Sequence, residues 1–200
     1  MIKLNNLKKD LSKFERPEKA KFLKRFFKTG KGEYAEGDFF LGLMTDETRS
    51  VAKKYLDLNF SDLEKLLSSN IHEERVVALM ILSKKFDKAD KSERKEIYDF
   101  YLKNIGGVNN WDLVDGSASN IIGKYLFESK ASKEFLFDFA RSENLWKRRI
   151  AMMSTFFYIK QNDFEDALRI SEILLNDKHN LIHKAVGWML REIGNRNLSI

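Results

Sequence analysis

The 200-residue sequence contains no cysteine and a single proline, at position 17. Without cysteine there can be no disulfide framework, no thiolate metal site and no cysteine nucleophile, so nothing here requires an oxidising compartment. Without proline after position 17, helices can run uninterrupted through residues 18–200, where Leu, Lys, Glu and Phe recur at helical spacing. Long apolar runs are lacking too. The longest, from Val76 to Leu82, is far too short to span a bilayer. Residues 1–30 are basic and amphipathic rather than a cleavable apolar leader, so a cytoplasmic, non-membrane protein is expected. Glycine is concentrated, with four of the ten falling between 30 and 42. That segment is therefore a loop. Its Gly30-Lys31 pair has neither the spacing nor the preceding strand of a phosphate-binding P-loop.

What is present is charge and helical periodicity. The formal net charge is +6, and residues 1–30 hold ten Lys/Arg against three Asp/Glu, so the rest of the chain is close to neutral. A basic N-terminal face suits a polyanion, nucleic acid before membrane; a merely soluble lysine-rich surface is the competing explanation. Residues 3–28 read as one or two amphipathic helices, with Pro17 in the first turn of the second. Beyond the loop the pattern predicts helices at about 46–56, 62–68, 72–86, 92–104, 111–127, 132–141, 145–160, 163–175 and 180–193. Thr45 or Asp46 is the expected cap of the first, and Ser61-Asp62-Leu63-Glu64 the capping box of the second.

Four of these helices open on a similar mixed polar turn, anchored at 72, 111, 145 and 180 and therefore separated by 39, 34 and 35 residues. That spacing is of the helical-hairpin kind found in HEAT-like repeats. The fold expected is all-α: hairpin repeats stacked into a curved α-solenoid, its concave face basic and lined by the second helix of each pair. A simple bundle is the alternative. The organisation expected is one domain over 1–200, with basic N-terminal helices and the Gly-rich loop at 1–45 and helical repeats at 46–194.

The richest stretch runs from Asn109 to Gly123. Asn110 can cap a helix in which Trp111 and Asp115, four residues apart, share a face. An indole beside a carboxylate suits a planar cation, which the ring face attracts through its quadrupole and the carboxylate directly. An ordinary amphipathic helix with a core Trp and a capping Asp would look the same. If second helices line one surface, Arg148, Arg149, Lys184 and Trp188 join Trp111 and Asp115 there, with phosphates for the cations and a base or sugar for the Trp-Asp pair.

These residues also carry a resemblance. Lys28-Thr29-Gly30-Lys31-Gly32-Glu33-Tyr34, Glu36-Gly37-Asp38, His72-Glu73-Glu74-Arg75, Trp111-Asp112-Leu113-Val114-Asp115, Leu145-Trp146-Lys147-Arg148-Arg149 and Gly187-Trp188-Met189-Leu190-Arg191-Glu192 resemble, in order, the bacterial DNA alkylation repair enzymes of the AlkD type. Those are HEAT-like-repeat DNA glycosylases. The resemblance, over about 25–194, implies excision of positively charged alkylated purines, 3-methyladenine and 7-methylguanine, from duplex DNA in base excision repair, by a monomer associated with the bacterial nucleoid. It implies that Asp115 is the catalytic carboxylate, that Trp111 and Trp188 are its aromatic neighbours, and that Arg149, or Arg148 beside it, grips the DNA backbone. Lys28, Lys31, Lys147 and Lys184 are the further expected phosphate contacts. One departure is visible: Leu41-Gly42-Leu43-Met44-Thr45-Asp46 stands where relatives carry a Gly-Val/Ile-x-x-Pro stretch.

No cofactor or metal is expected. His179 and His183 share a helical face, yet no third ligand has the right spacing. Ser117 and Ser119 have no nearby histidine to activate them. Glu73 and Glu74 are expected in an inter-repeat salt bridge or a first helical turn. Two further functions stay open on the sequence: a non-catalytic DNA-binding relative that recognises distorted or branched DNA, and a solenoid scaffold for protein partners.

Overall fold

The structure is a computed structural model that describes residues 2–198. It is all-helical. Among the described residues the only β-type pairing is a one-residue parallel bridge between Phe39 and Ile71. The chain packs as two units, Met1–Leu113 and Val114–Ile200.

The first unit contains α1 (Ile2–Ser12), α2 (Pro17–Phe26), α3 (Thr45–Lys54), α4 (Phe60–Leu67), α5 (His72–Lys88) and α6 (Lys91–Lys103). Pro17 occupies the first turn of α2, where its missing N–H has no helical partner to lose. Helix α5 is the organising element, packing on α1, α3, α4 and α6. Val77, Ala78, Ile81, Leu82 and Phe86 are essentially inaccessible, each large one contributing about 1.5–3 kcal/mol of transfer free energy before chain entropy is deducted.

The loop between α2 and α3 is held to α5 rather than left loose. Phe39 N–H donates to the Asn70 carbonyl and His72 N–H to the Phe39 carbonyl, both at 2.8 Å. Glu73, at the start of α5, accepts from the backbone N–H groups of Leu41, Gly42 and Leu43 at 3.0, 2.8 and 3.3 Å. Gly42 sits at φ +87°, and a Cβ there would lie 2.4 Å from the Arg16 carbonyl oxygen. Only glycine fits. This chain closes the turn with Glu73 and with Glu47, whose carboxylate accepts the Met44 N–H at 2.8 Å. Glu74 pairs with Lys8 of α1 at 2.8 Å. Both glutamates are thus structural, as their position in a first turn suggested.

The second unit begins inside α7 (Trp111–Ala118), which continues through a π turn (Ser119–Gly123) into α8 (Lys124–Ser129). Then come α9 (Glu134–Ala140), α10 (Leu145–Lys160), α11 (Glu165–Leu174) and α12 (Asn180–Gly194). Helices α9 and α11 pack on one another. Helix α10 packs on both, and also on α8, the π turn and α12. Residues 149–155 of α10 are all buried, because this helix has neighbours on every side. Paired helices of this kind, repeating along the chain, are those of an α-solenoid of helical repeats.

The caps differ from expectation in two places. Helix α4 starts two residues early, capped by Asn59, whose Oδ1 accepts the Asp62 N–H at 2.9 Å. Helix α3 is entered from Met44, with Thr45 already helical. Asn and Ser are near-equivalent caps, so local preference does not choose between Asn59 and Ser61.

Candidate active site

Trp111 opens α7, its backbone N–H donating to Asn110 Oδ1 at 2.8 Å. Its half-buried indole lies parallel on Phe27, with centroids 5.1 Å apart and planes 12° apart. Phe26 meets it edge-on at 5.9 Å. Phe26 and its stacking partner Phe22, 6.1 Å away, are more than half exposed. The indole is therefore fixed by rings from the end of α2 and is not a simple core tryptophan.

Beneath these rings lies a buried charged group that composition alone does not reveal. His72 Nε2 is 2.7 Å from Asp112 Oδ2, and its Nδ1 is 3.5 Å from Asp38 Oδ2. Arg75 donates to Asp38 at 2.5 Å and to the Ser69 carbonyl at 2.6 Å. The imidazole lies 4.6 Å from Phe40 and 5.0 Å from Phe27, centroid to centroid. Burial is the largest single influence on His72 and disfavours its charge, but the hydrogen bonds and charges of Asp112 and Asp38 together outweigh it, pushing the pKa up to about 9. His72 is thus an imidazolium at neutral pH. The carboxyl of Asp38 is held below its usual range, because hydrogen bonds from His72 and Arg75 overcome the opposing effect of burial.

Asp115, one turn after Trp111 on the same helix, accepts both arms of a fork. Arg149 Nε donates to Oδ1 at 2.8 Å and Nη2 to Oδ2 at 2.7 Å. Arg149 Nη1 donates to the Leu181 carbonyl of α12. The arginine side chain is 5% exposed and the aspartate side chain 17%. Each nitrogen of Arg149 is thus engaged inside the unit, and the fork holds the plane of the Asp115 carboxylate. Arg148 binds Asp177 at 2.5 Å and the carbonyls of Ser142 and Glu143 at 3.0 and 2.8 Å, so it ties the α9–α10 and α11–α12 turns together. The Asp177 carboxyl is held low by Arg148 and the His179 N–H, although burial works the other way.

Trp188 is half-buried on α12, 5.6 Å from Phe156 of α10, and its Nε1 donates to Glu192 at 3.3 Å. Arg149 to Phe156 and Leu181 to Trp188 are both seven-residue steps, so the two contacts are rungs of one ladder between α10 and α12. Seven residues correspond to about 10 Å of helix axis, so Trp188 is set that far along from the residue that anchors Arg149. Of the expected phosphate contacts, Lys28, Lys31 and Lys184 are exposed, and Lys147 is half-buried with Nζ 5.4 Å from the Phe139 centroid.

His179 caps α12 through Nδ1, which accepts the Leu181 N–H at 3.2 Å. Among the described residues no group of three His, Asp or Glu side chains is arranged to hold a metal, and no helix is long and apolar enough to cross a membrane.

Sequence reasoning missed the roles of Phe26, Phe27, Asp38, His72 and Asp112. All lie in or beside the stretches that carried the resemblance, and His72, as the anchor of a repeat, was marked by its position though not by its chemistry.

A solved structure from Enterococcus faecalis, described as a predicted DNA alkylation repair enzyme, superposes with a TM-score of 0.66, covering 92% of this chain and 85% of that one at 17% identity. At that identity the likeness is one of fold. No curated protein matches the chain. The family model for DNA alkylation repair enzymes matches residues 7–199, nearly the whole length. The chain belongs to the DNA alkylation repair enzyme family.

Proposed function

We propose that the chain is a DNA glycosylase that releases positively charged alkylated purines, 3-methyladenine and 7-methylguanine, from duplex DNA as a step of base excision repair. The observation that carries this reading is the fixed, partly exposed carboxylate of Asp115, locked in orientation by a buried arginine.

In a cationic alkylpurine the base is already a good leaving group. The C1′–N bond breaks with its electron pair going to the base, which departs neutral, and positive charge develops on the sugar. No acid has to protonate the base. A carboxylate aimed at C1′ lowers the barrier by opposing that charge and orients the water that attacks. Each Asp115 oxygen accepts one N–H from Arg149, which fixes the plane of the carboxylate. Trp111 and Trp188 would face the cationic nucleotide, each indole favouring positive charge by about 0.5–2 kcal/mol. Lys28, Lys31, Lys147 and Lys184 would meet phosphates.

A second reading has one observation in its favour: both Asp115 oxygens already face a guanidinium, which offsets the negative charge a developing cation would feel. On that reading the chain binds damaged or distorted DNA without cutting the glycosidic bond. Incubation with duplexes carrying 7-methylguanine, uracil or hypoxanthine decides between them. Release of 7-methylguanine alone is expected, slowed at least tenfold, or about 1.4 kcal/mol of barrier, in Asp115→Asn. Equal release of uracil would require an acid that this site does not contain. Binding without release of any base would favour the second reading.

A further inference from the structure

We propose that His72 is a positioning residue for Trp111: it holds the indole in place from two directions at once, through Asp112 and through Phe27. The proposal rests on the reading of Trp111 as a site residue.

The geometry is specific. Asp112 follows Trp111 directly in the chain and receives the short Nε2 contact of 2.7 Å, which pins the first turn of α7. Phe27 is the ring on which the indole lies flat, and the same ring meets the imidazole at 5.0 Å, tilted by 41°. Phe40 stacks on both Phe27 and His72, at 5.0 and 4.6 Å. The two rings against the indole thus lead back to the imidazole, Phe27 directly and Phe26 through Phe27. No other buried histidine serves this purpose: His179 caps a helix and His183 is exposed.

The arrangement depends on charge. A neutral imidazole has one N–H and can serve only one of Asp112 and Asp38; the imidazolium has two. The charged groups facing His72 are these two carboxylates and Arg75, whose Nη2 lies 3.3 Å from Nδ1. Arg75 keeps its charge, holds Asp38 and can donate to a bare Nδ1, so loss of the His72 proton leaves Nε2–H on Asp112 but turns that contact from a charge-assisted into a neutral hydrogen bond of roughly half the strength. The folded-state pKa is raised from 6.5 to about 9. The stabilisation is therefore complete below pH 6.5 and is lost as pH rises through about 9.

Two measurements test the proposal. In the first, single-turnover release of 7-methylguanine from a duplex is followed from pH 6 to 10 for wild type and His72→Gln. Glutamine keeps a donor for Asp112 but has neither ring nor charge. The variant is expected to bind undamaged duplex within about twofold of wild type, to release base at least about tenfold more slowly, and to lack the loss of rate that wild type shows near pH 9. In the second, Trp146→Phe/Trp188→Phe protein, in which Trp111 is the sole indole, is titrated by fluorescence without DNA. A red shift centred near pH 9 is expected, absent when His72→Gln is added. A folded His72→Gln protein with wild-type rate and pH profile would overturn the proposal. Should that variant fail to fold, an emission spectrum of Trp111 unchanged from pH 7 to 10 would overturn it. If wild type releases no alkylated base, the glycosylase reading fails, and the fluorescence titration still decides the role of His72.

Discussion

At the scale of single residues, the site is governed by which charges are already taken. Arg149 and Asp115 form a fork-to-fork pair with the arginine buried, and removing one member of such a pair leaves the other uncompensated. Arg149→Ala should therefore destabilise the protein by roughly 3 kcal/mol, more than a surface phosphate contact could. The double variant Asp115→Ala/Arg149→Ala should recover a good part of that loss. Denaturant unfolding of the two single variants and the double completes the cycle, and strictly additive effects would show that the pair is not coupled. Asp115 and its arginine were legible in the sequence as members of a motif. Their mutual pairing was not, because residues 34 positions apart meet only once α7 and α10 pack. For the same reason the sequence does not show that the Arg149 guanidinium is buried.

At the scale of elements, local signals did well at four helix starts. The anchors at 72, 111, 145 and 180 are the first residues of α5, α7, α10 and α12, because each helix start carries its own polar turn. Interiors were harder. The stretch 111–127 reads as one regular helix, yet Ser119–Gly123 is a π turn, a widening that no propensity marks and that packing against α10 accommodates. Gly123 shows why: a Cβ there would lie 2.1 Å from the Ser154 carbonyl oxygen and 3.1 Å from Phe157 Cβ. Gly123→Ala should push α10 away at a cost of about 1–3 kcal/mol. For a chain of this size that corresponds to a melting point lower by roughly 2–4 °C per kcal/mol. A thermal melt within a degree of wild type would show that the two helices have room to spare. Because α10 also carries Arg149, the same variant should slow base release even where it remains fully folded.

At the scale of the whole molecule, the question is how a protein of net charge +6 divides its cations between folding and DNA. Part of the basic N-terminal third is spent internally: Lys8 on Glu74, Lys13 on Asp10, and Arg16 on Glu47 at 2.6 Å through each of two nitrogens. Lys3 likewise pairs with Asp57. The compositional excess in residues 1–30 therefore overstates what is available to a polyanion, and the sequence had no means of showing this. Lys28, Lys31, Lys147 and Lys184 are the cations proposed to meet phosphates. Four such contacts release counterions, so log Kobs for duplex binding should fall against log salt with a slope of roughly −3 to −4. Each Lys→Ala change should make that slope shallower by about 0.9 and weaken damaged and undamaged duplexes alike, because phosphates carry no base identity. The chemical step should behave differently. On the proposed reading, single-turnover release with enzyme saturating depends on Asp115 and its buried arginine, a pair shielded from bulk ions, and should change little between about 50 and 200 mM salt. A release rate that fell in parallel with affinity, at full saturation, would place an exposed lysine in the chemical step and would displace the Arg149-held carboxylate as the group facing the developing charge.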